Sequence, residues 1–165
     1  MNQQIQNCSK LGSQLHFEKP LDKFIDKATW IIAKDFNIST TYLKGKPIYA
    51  YSNNNNEYAF SHILKLDEKN ISEKKKKIRA KIAPQIKKLI ELINNDSCCK
   101  ELLIWKHRDS KSKKNKLHIL CKQTRLMIVL SITNKSYFLT TAYFVDDIDA
   151  YLYYLNQYKW SEKGI

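Results

Sequence analysis

The chain predicts an α+β domain: N-terminal helices packed on a four-stranded antiparallel meander sheet, with a C-terminal helix. Three observations carry that expectation. Apolar residues recur at spacings of three and four between residues 20 and 94; residues 100–145 break instead into four short strand-like runs; and helical spacing returns once, after residue 146.

Residues 1–16 are polar and aperiodic and are expected to form a flexible tail, leaving 17–165 as a single domain. Residues 20–36 read as a helix, because Leu21, Phe24, Ile25, Ala28, Ile31, Ile32 and Phe36 fall on one face. Pro20 suits its first turn, where the missing N–H costs nothing. Gly45 marks a turn, and residues 47–51 form a short strand that Pro47 assigns to a sheet edge. Residues 52–56 are a polar loop, and 57–66 carry Tyr58, Phe60, Ile63, Leu64 and Leu66 around His62 in a short helix.

Ser72 is placed to cap a basic amphipathic helix over 72–94. Its apolar stripe is Ile78, Ile82, Ile86, Leu89, Ile90 and Ile93, and Pro84 either kinks it or divides it in two. The four strands follow at 100–107, 116–122, 125–131 and 136–145. Short connections make an antiparallel meander the natural pairing. Strict alternation along the last strand puts Tyr137, Leu139, Thr141, Tyr143 and Val145 on one face, with Phe138, Thr140, Ala142 and Phe144 on the other. Asp146 is expected to cap a closing helix over 147–158.

A chain of 165 residues with 43% hydrophobic content is long enough for one real core and too apolar for disorder. No run approaches the roughly 20 apolar residues that span a bilayer, so no transmembrane segment is expected. The first residues lack the pattern of a secretory leader. Cys8, Cys98, Cys99 and Cys121 are not spaced as a disulfide framework. A reduced, cytoplasmic setting follows as an expectation, compatible with delivery into another cell. The 29 Lys and Arg against 16 Asp and Glu give a net charge of +13. Such a balance favours a polyanionic partner, nucleic acid first and an anionic membrane surface second. A solvated lysine surface is the plain alternative.

Several chemistries are poorly served. The four histidines are scattered, no Cys/His spacing matches zinc, and Asp146, Asp147 and Asp149 sit where a helix start needs caps. With three glycines, the chain has no phosphate-binding or dinucleotide loop. No metal or other cofactor is expected. What is left is His, Lys, Arg, Thr and Tyr. Those groups suffice for RNA cleavage by the ribose 2′-OH, which needs an acid, a base and donors for a charged phosphorane, and brings its own nucleophile.

Four segments in order carry a resemblance. They are Tyr-Ala-Phe-Ser-His-Ile around His62, the helix 78–91 with Arg79, Leu-Ile-Trp-Lys at 103–106, and Leu-Thr-Thr-Ala-Tyr at 139–143. Together they resemble the phage-associated branch of the barnase–EndoU–colicin–RelE (BECR) nuclease superfamily, over nearly the whole of residues 20–159. The resemblance implies a metal-independent endoribonuclease leaving 2′,3′-cyclic phosphate ends, deployed as a toxin or effector of a phage or mobile element. Its implied partners are RNA (tRNA, mRNA or rRNA) and an acidic inhibitor or immunity protein. It assigns His62 as acid or base, Arg79 to the phosphate, and Thr141 and Tyr143 as donors. Lys106 departs from the pattern, since the family more often has an acidic residue after the tryptophan. The structural alternatives are a half-buried histidine, a solvated arginine and core strand residues.

His107 and His118 are further candidates on the strands beside the basic loop. That loop, 106–116, holds six Lys or Arg and one acid, Asp109. Lys106, Arg108, Lys111, Lys113, Lys114 and Lys116, with Arg125 across the sheet, are candidate RNA-phosphate contacts. Two rival readings use the same surface: a non-catalytic nucleic-acid-binding module, and an effector whose basic helix docks on an acidic partner or membrane.

Overall fold

The computed structural model of the chain describes residues 11–50, 56–96 and 101–165. The first ten residues of the expected tail, the loop at 51–55, Lys100 at the start of the first expected meander strand, and Cys8, Cys98 and Cys99 lie outside them. The chain folds as α+β, with helices on both faces of one mixed sheet.

Helix α1 (Leu21–Ala33) buries Phe24, Ala28 and Ile32, then widens into a π-helical turn over Lys34–Ile38 that delivers Phe36 to the core. Strands β1 (Thr41–Leu43) and β2 (Lys46–Tyr49) form a hairpin through Lys44 and Gly45, both at positive φ (45° and 82°). That turn geometry matches the right-handed twist of the strands it joins. Helix α2 (Asn56–Ile63) follows. Helix α3 (Glu73–Lys81) starts where the Ser72 hydroxyl accepts from the Lys75 N–H, and helix α4 (Ala83–Asn94) restarts the chain with Pro84 in its first turn. Pro84 thus divides the basic helix rather than kinking it.

Strands β3 (Leu102–Arg108), β4 (Asn115–Cys121), β5 (Leu126–Ile132) and β6 (Tyr137–Phe144) pair antiparallel in succession. Helix α5 (Ile148–Trp160) and a short strand β7 (Glu162–Lys163) close the chain. The sheet has seven strands in the order β1-β2-β6-β5-β4-β3-β7, and β2 runs parallel to β6. The expected four-stranded antiparallel sheet is therefore corrected to a larger, mixed one. Pro47 is not on an edge strand either. Its strand lies between β1 and β6, and pairing with β6 covers only Ile48 and Tyr49, so its missing N–H costs that ladder nothing.

Helices α1 to α4 cover one face of the sheet, meeting Leu117, Ile119, Cys121, Leu126, Ile128, Leu130, Leu139, Ala142 and Phe144. Helix α5 covers the other, over Trp105, Leu120, Met127, Val129, Tyr143 and Val145, with Tyr151, Tyr154, Leu155 and Tyr158 only partly buried. The two cores are unequal, and α5 has no fully buried residue of its own.

Three further expectations change. Leu11 is 2% exposed, the Leu15 N–H donates to the Lys81 carbonyl (2.9 Å), and Gln85 Nε2 donates to the Gly12 carbonyl (3.1 Å). The described end of the tail is thus docked on α3 and α4, because Leu11 has a core site to fill. The cap of α5 is Asp147, which accepts from the Ala150 N–H, and not Asp146. Strict alternation also fails in β6. Val129 pairs with Thr141 but Leu130 pairs with Leu139, so Thr140 is an extra residue, a β-bulge. Tyr137 and Leu139 consequently join Ala142 and Phe144 on the helix-covered face, while Tyr143 and Val145 lie on the α5 face.

Candidate functional site

The register of the β3–β4 hairpin sets His107 opposite Lys116 and Trp105 opposite His118. Alternation turns all four side chains to the α5 face. Val129 of β5 and Tyr143 of β6 share that face, and the bulge brings Thr140 and Thr141 there together. Between them and α5 lies a cleft of about 260 Å³. Tyr153, Tyr154 and Gln157 form its α5 wall; Asp109 and Ser110 reach it from the basic loop. Lys65 enters from the turn after α2, which packs against the part of β6 that β2 leaves unpaired. The Thr141 hydroxyl donates to the Ile63 carbonyl (2.9 Å) and ties that turn to the strand. Lys65 Nζ lies 3.7 Å from the centroid of the Tyr143 ring, a cation held on an aromatic face.

The electrostatics follow from this packing. His118 is 7% exposed, edge-on to Trp105 and 5.8 Å from His107 between ring centres. Burial first, and the neighbouring His107 second, lower its pKa to about 4, against a hydrogen bond with Gln157 that raises it. It is a neutral imidazole at pH 7, and its Nδ1 has no hydrogen-bond partner among the described residues. Burial, reinforced by Tyr154, pushes the Tyr143 phenol well above the ordinary tyrosine range, so it can donate a proton in a hydrogen bond but not ionise. The Tyr143 and Tyr154 hydroxyls share one hydrogen bond, which leaves one hydroxyl proton free for an incoming acceptor. Burial also holds the Lys65 ammonium below the ordinary lysine value, opposed by Glu68.

Asp109 organises the loop above. It accepts from the Lys111 and Ser112 N–H groups (3.0 and 2.6 Å) and from Lys116 Nζ (3.1 Å). Those bonds, the Ser112 N–H foremost, hold its carboxyl well below the usual range. Lys113 takes positive φ (57°), and its N–H closes the turn on the Asp109 carbonyl at 2.9 Å. The sole acid of the basic hairpin is its fastener.

Not all expected site residues meet here. Tyr143 and Thr141 line the cleft; so does Thr140, which alternation had set on the opposite face. His62 does not. Its side chain is 69% exposed, with Nδ1 3.1 Å from Asp67. Arg79 stands one layer back, 9% exposed, and its Nη1 donates to the Lys65 carbonyl (2.5 Å) and to Glu68 (2.8 Å). It supports the turn bearing Lys65 instead of facing a ligand. Of the seven basic residues expected at RNA, Lys116 alone lines this cleft. Lys106 projects from the other face of β3 to pair with Glu162 (2.8 Å). Arg108, Lys111, Lys113 and Lys114 are exposed, and Arg125 lies over the Tyr151 ring at 4.5 Å.

Sequence reasoning missed Lys65, Tyr153, Tyr154 and Gln157, and gave His107 and His118 second rank. The histidines were findable: strands ending at 107 and restarting at 116 already imply the register that puts both on one face. Nothing local marks Lys65, because its place depends on how α2 meets β6. Among the described residues no group of three or more His, Cys, Asp or Glu side chains is placed to hold a metal, and no helix is long and apolar enough to cross a membrane. In comparisons with protein-family models, curated proteins and solved structures, the chain matches none.

Proposed function

We propose that this cleft cleaves RNA by attack of the ribose 2′-OH on the adjacent phosphate, without a metal ion. One observation carries the proposal: two histidines, two lysines and a non-ionising phenol converge on one sheet face around a single small cleft. His118, neutral at pH 7, accepts the 2′-hydroxyl proton as O2′ bonds to phosphorus. His107 supplies a proton to the 5′ oxygen as its bond to phosphorus breaks, leaving a 2′,3′-cyclic phosphate and a 5′-hydroxyl. An anionic phosphate beside His118 favours its protonated form and so strengthens it as a base. Lys65 and Lys116 balance the charge of the phosphorane, and the free proton of the Tyr143–Tyr154 pair hydrogen-bonds to a non-bridging oxygen. Lys111, Lys113 and Lys114, exposed on the ordered hairpin, hold the flanking phosphates. Arg79 acts through Lys65 as a positioning residue.

Purified protein incubated with single-stranded RNA in EDTA should yield 2′,3′-cyclic phosphate ends. His107→Ala and His118→Leu should each abolish them, and His62→Ala should not. Cleavage that requires Mg²⁺, or that survives both cleft substitutions, sinks the mechanism. Salt-sensitive RNA binding with no cleavage by the wild type would favour a non-catalytic binding module instead.

A further inference from the structure

Tyr153 stands at the rim of the cleft and is 60% exposed. An exposed aromatic side chain ordinarily moves freely, yet this one is held at several points. Its hydroxyl accepts from Gln157 Nε2 (3.2 Å), and Gln157 Oε1 in turn accepts from the indole N–H of the buried Trp105 (3.0 Å). Its ring meets Tyr154 edge to face, 5.5 Å between centres. The chain has therefore ordered a large aromatic surface and left it mostly uncovered, on a cleft that Lys65 and Lys116 also line. The cleft itself, at about 260 Å³, falls below the range of roughly 300–1,000 Å³ typical of sites that enclose a drug-sized ligand. It has room for a phosphate and part of a sugar, so the base of the same nucleotide must lie outside, on the rim.

We infer that Tyr153 is a stacking platform for that base, and that the site takes unpaired, single-stranded RNA in preference to duplex. This inference rests on the ribonuclease reading and adds to it the class of RNA and the residue that selects it. A base inside a duplex has both faces occupied by its neighbours, so only an unstacked base can settle on an exposed ring. Stacking is indifferent to base identity, since every base offers a π-face; preference for single strands, with weak sequence preference, follows.

The test uses the full chain and a single-stranded 2′-O-methyl oligoribonucleotide that contains 2-aminopurine and cannot be cleaved. Wild-type protein should bind it and quench the 2-aminopurine, and should bind the matching duplex more weakly. Tyr153→Ala should lose the quenching and bind roughly 5- to 150-fold more weakly, the size expected of one lost stack. Tyr153→Phe should retain both. Unchanged affinity and quenching in Tyr153→Ala, or equal affinity for duplex, would overturn the inference even if unmodified RNA is still cleaved. Quenching that depends on Tyr153, with no cleavage of unmodified RNA by the wild type, would uphold the platform and overturn the nuclease reading alone. Absence of any single-strand binding would overturn both.

Discussion

The neutrality of His118 has a cost that appears on acidification. An ordinary histidine titrates near 6.5, whereas His118 in the folded chain does so at about 4. Between those values the unfolded chain takes up a proton that the folded one refuses, and unfolding is favoured. The contribution is therefore complete above pH 6.5 and lost progressively as pH falls to 4. The gap of about 2.5 pH units, at about 1.4 kcal/mol each, comes to roughly 3 kcal/mol. Urea unfolding followed by tryptophan fluorescence between pH 7 and 4 will measure it. Wild-type stability should fall by about that much more than that of His118→Leu over this range, since the other histidines and the carboxylates are common to both chains. Burial outranks His107 among the causes, so the His107→Ala background should keep most of the difference. Parallel decline of wild type and His118→Leu would show that the ring takes its proton at an ordinary pH, and that the account of the cleft is wrong.

Other perturbations have equally definite outcomes. Thr141→Val removes the hydroxyl that donates to the Ile63 carbonyl at nearly constant volume; it should cost about 1–3 kcal/mol in urea unfolding, and Thr141→Ser should cost less. Gly45→Ala forces a Cβ into positive φ at the β1–β2 turn and should cost on the order of 1 kcal/mol, seen as a lowered Tm, although no atom of the described residues beyond its chain neighbours lies within 4 Å of the added methyl. Asp109→Ala takes the acceptor from the Lys111 and Ser112 amides; both should exchange hydrogen faster while the β4 and β5 amides do not change. Equal protection in the two proteins would show that the loop needs no fastener.

The sequence carried the α+β layout because its signals were local: one apolar face on α1, a capping serine at Ser72, a proline at the head of α4 and four apolar runs with short links. What it missed was set by distant partners. The place of β2 inside the sheet depends on a parallel pairing with β6, some ninety positions away, and no periodicity within either strand announces it. Strand alternation predicted the faces of Tyr143 and Val145 but not those of Tyr137 and Leu139, because one bulged residue, Thr140, reverses the phase between them. The same limit governs the site. Tyr143 and Thr141 were legible as hydroxyls on the last strand. His62 looked right as a histidine on a helix, but it is exposed beside Asp67 and does not line the cleft, and the turn just after it contributes Lys65.

The residues around the cleft come from three distant stretches: the turn at Lys65, the meander from His107 to Tyr143, and the wall of α5 from Tyr153 to Gln157. No fragment holds more than part of it, so a ligand in the cleft binds only chains in which all three have docked. Binding energy and folding energy are then thermodynamically linked. A ligand at a hundred times its dissociation constant should stabilise the whole fold by about 2.7 kcal/mol, nearly as much as acid removes through His118. Thermal shift at neutral pH can therefore detect occupancy of the cleft without any assay for what the cleft does.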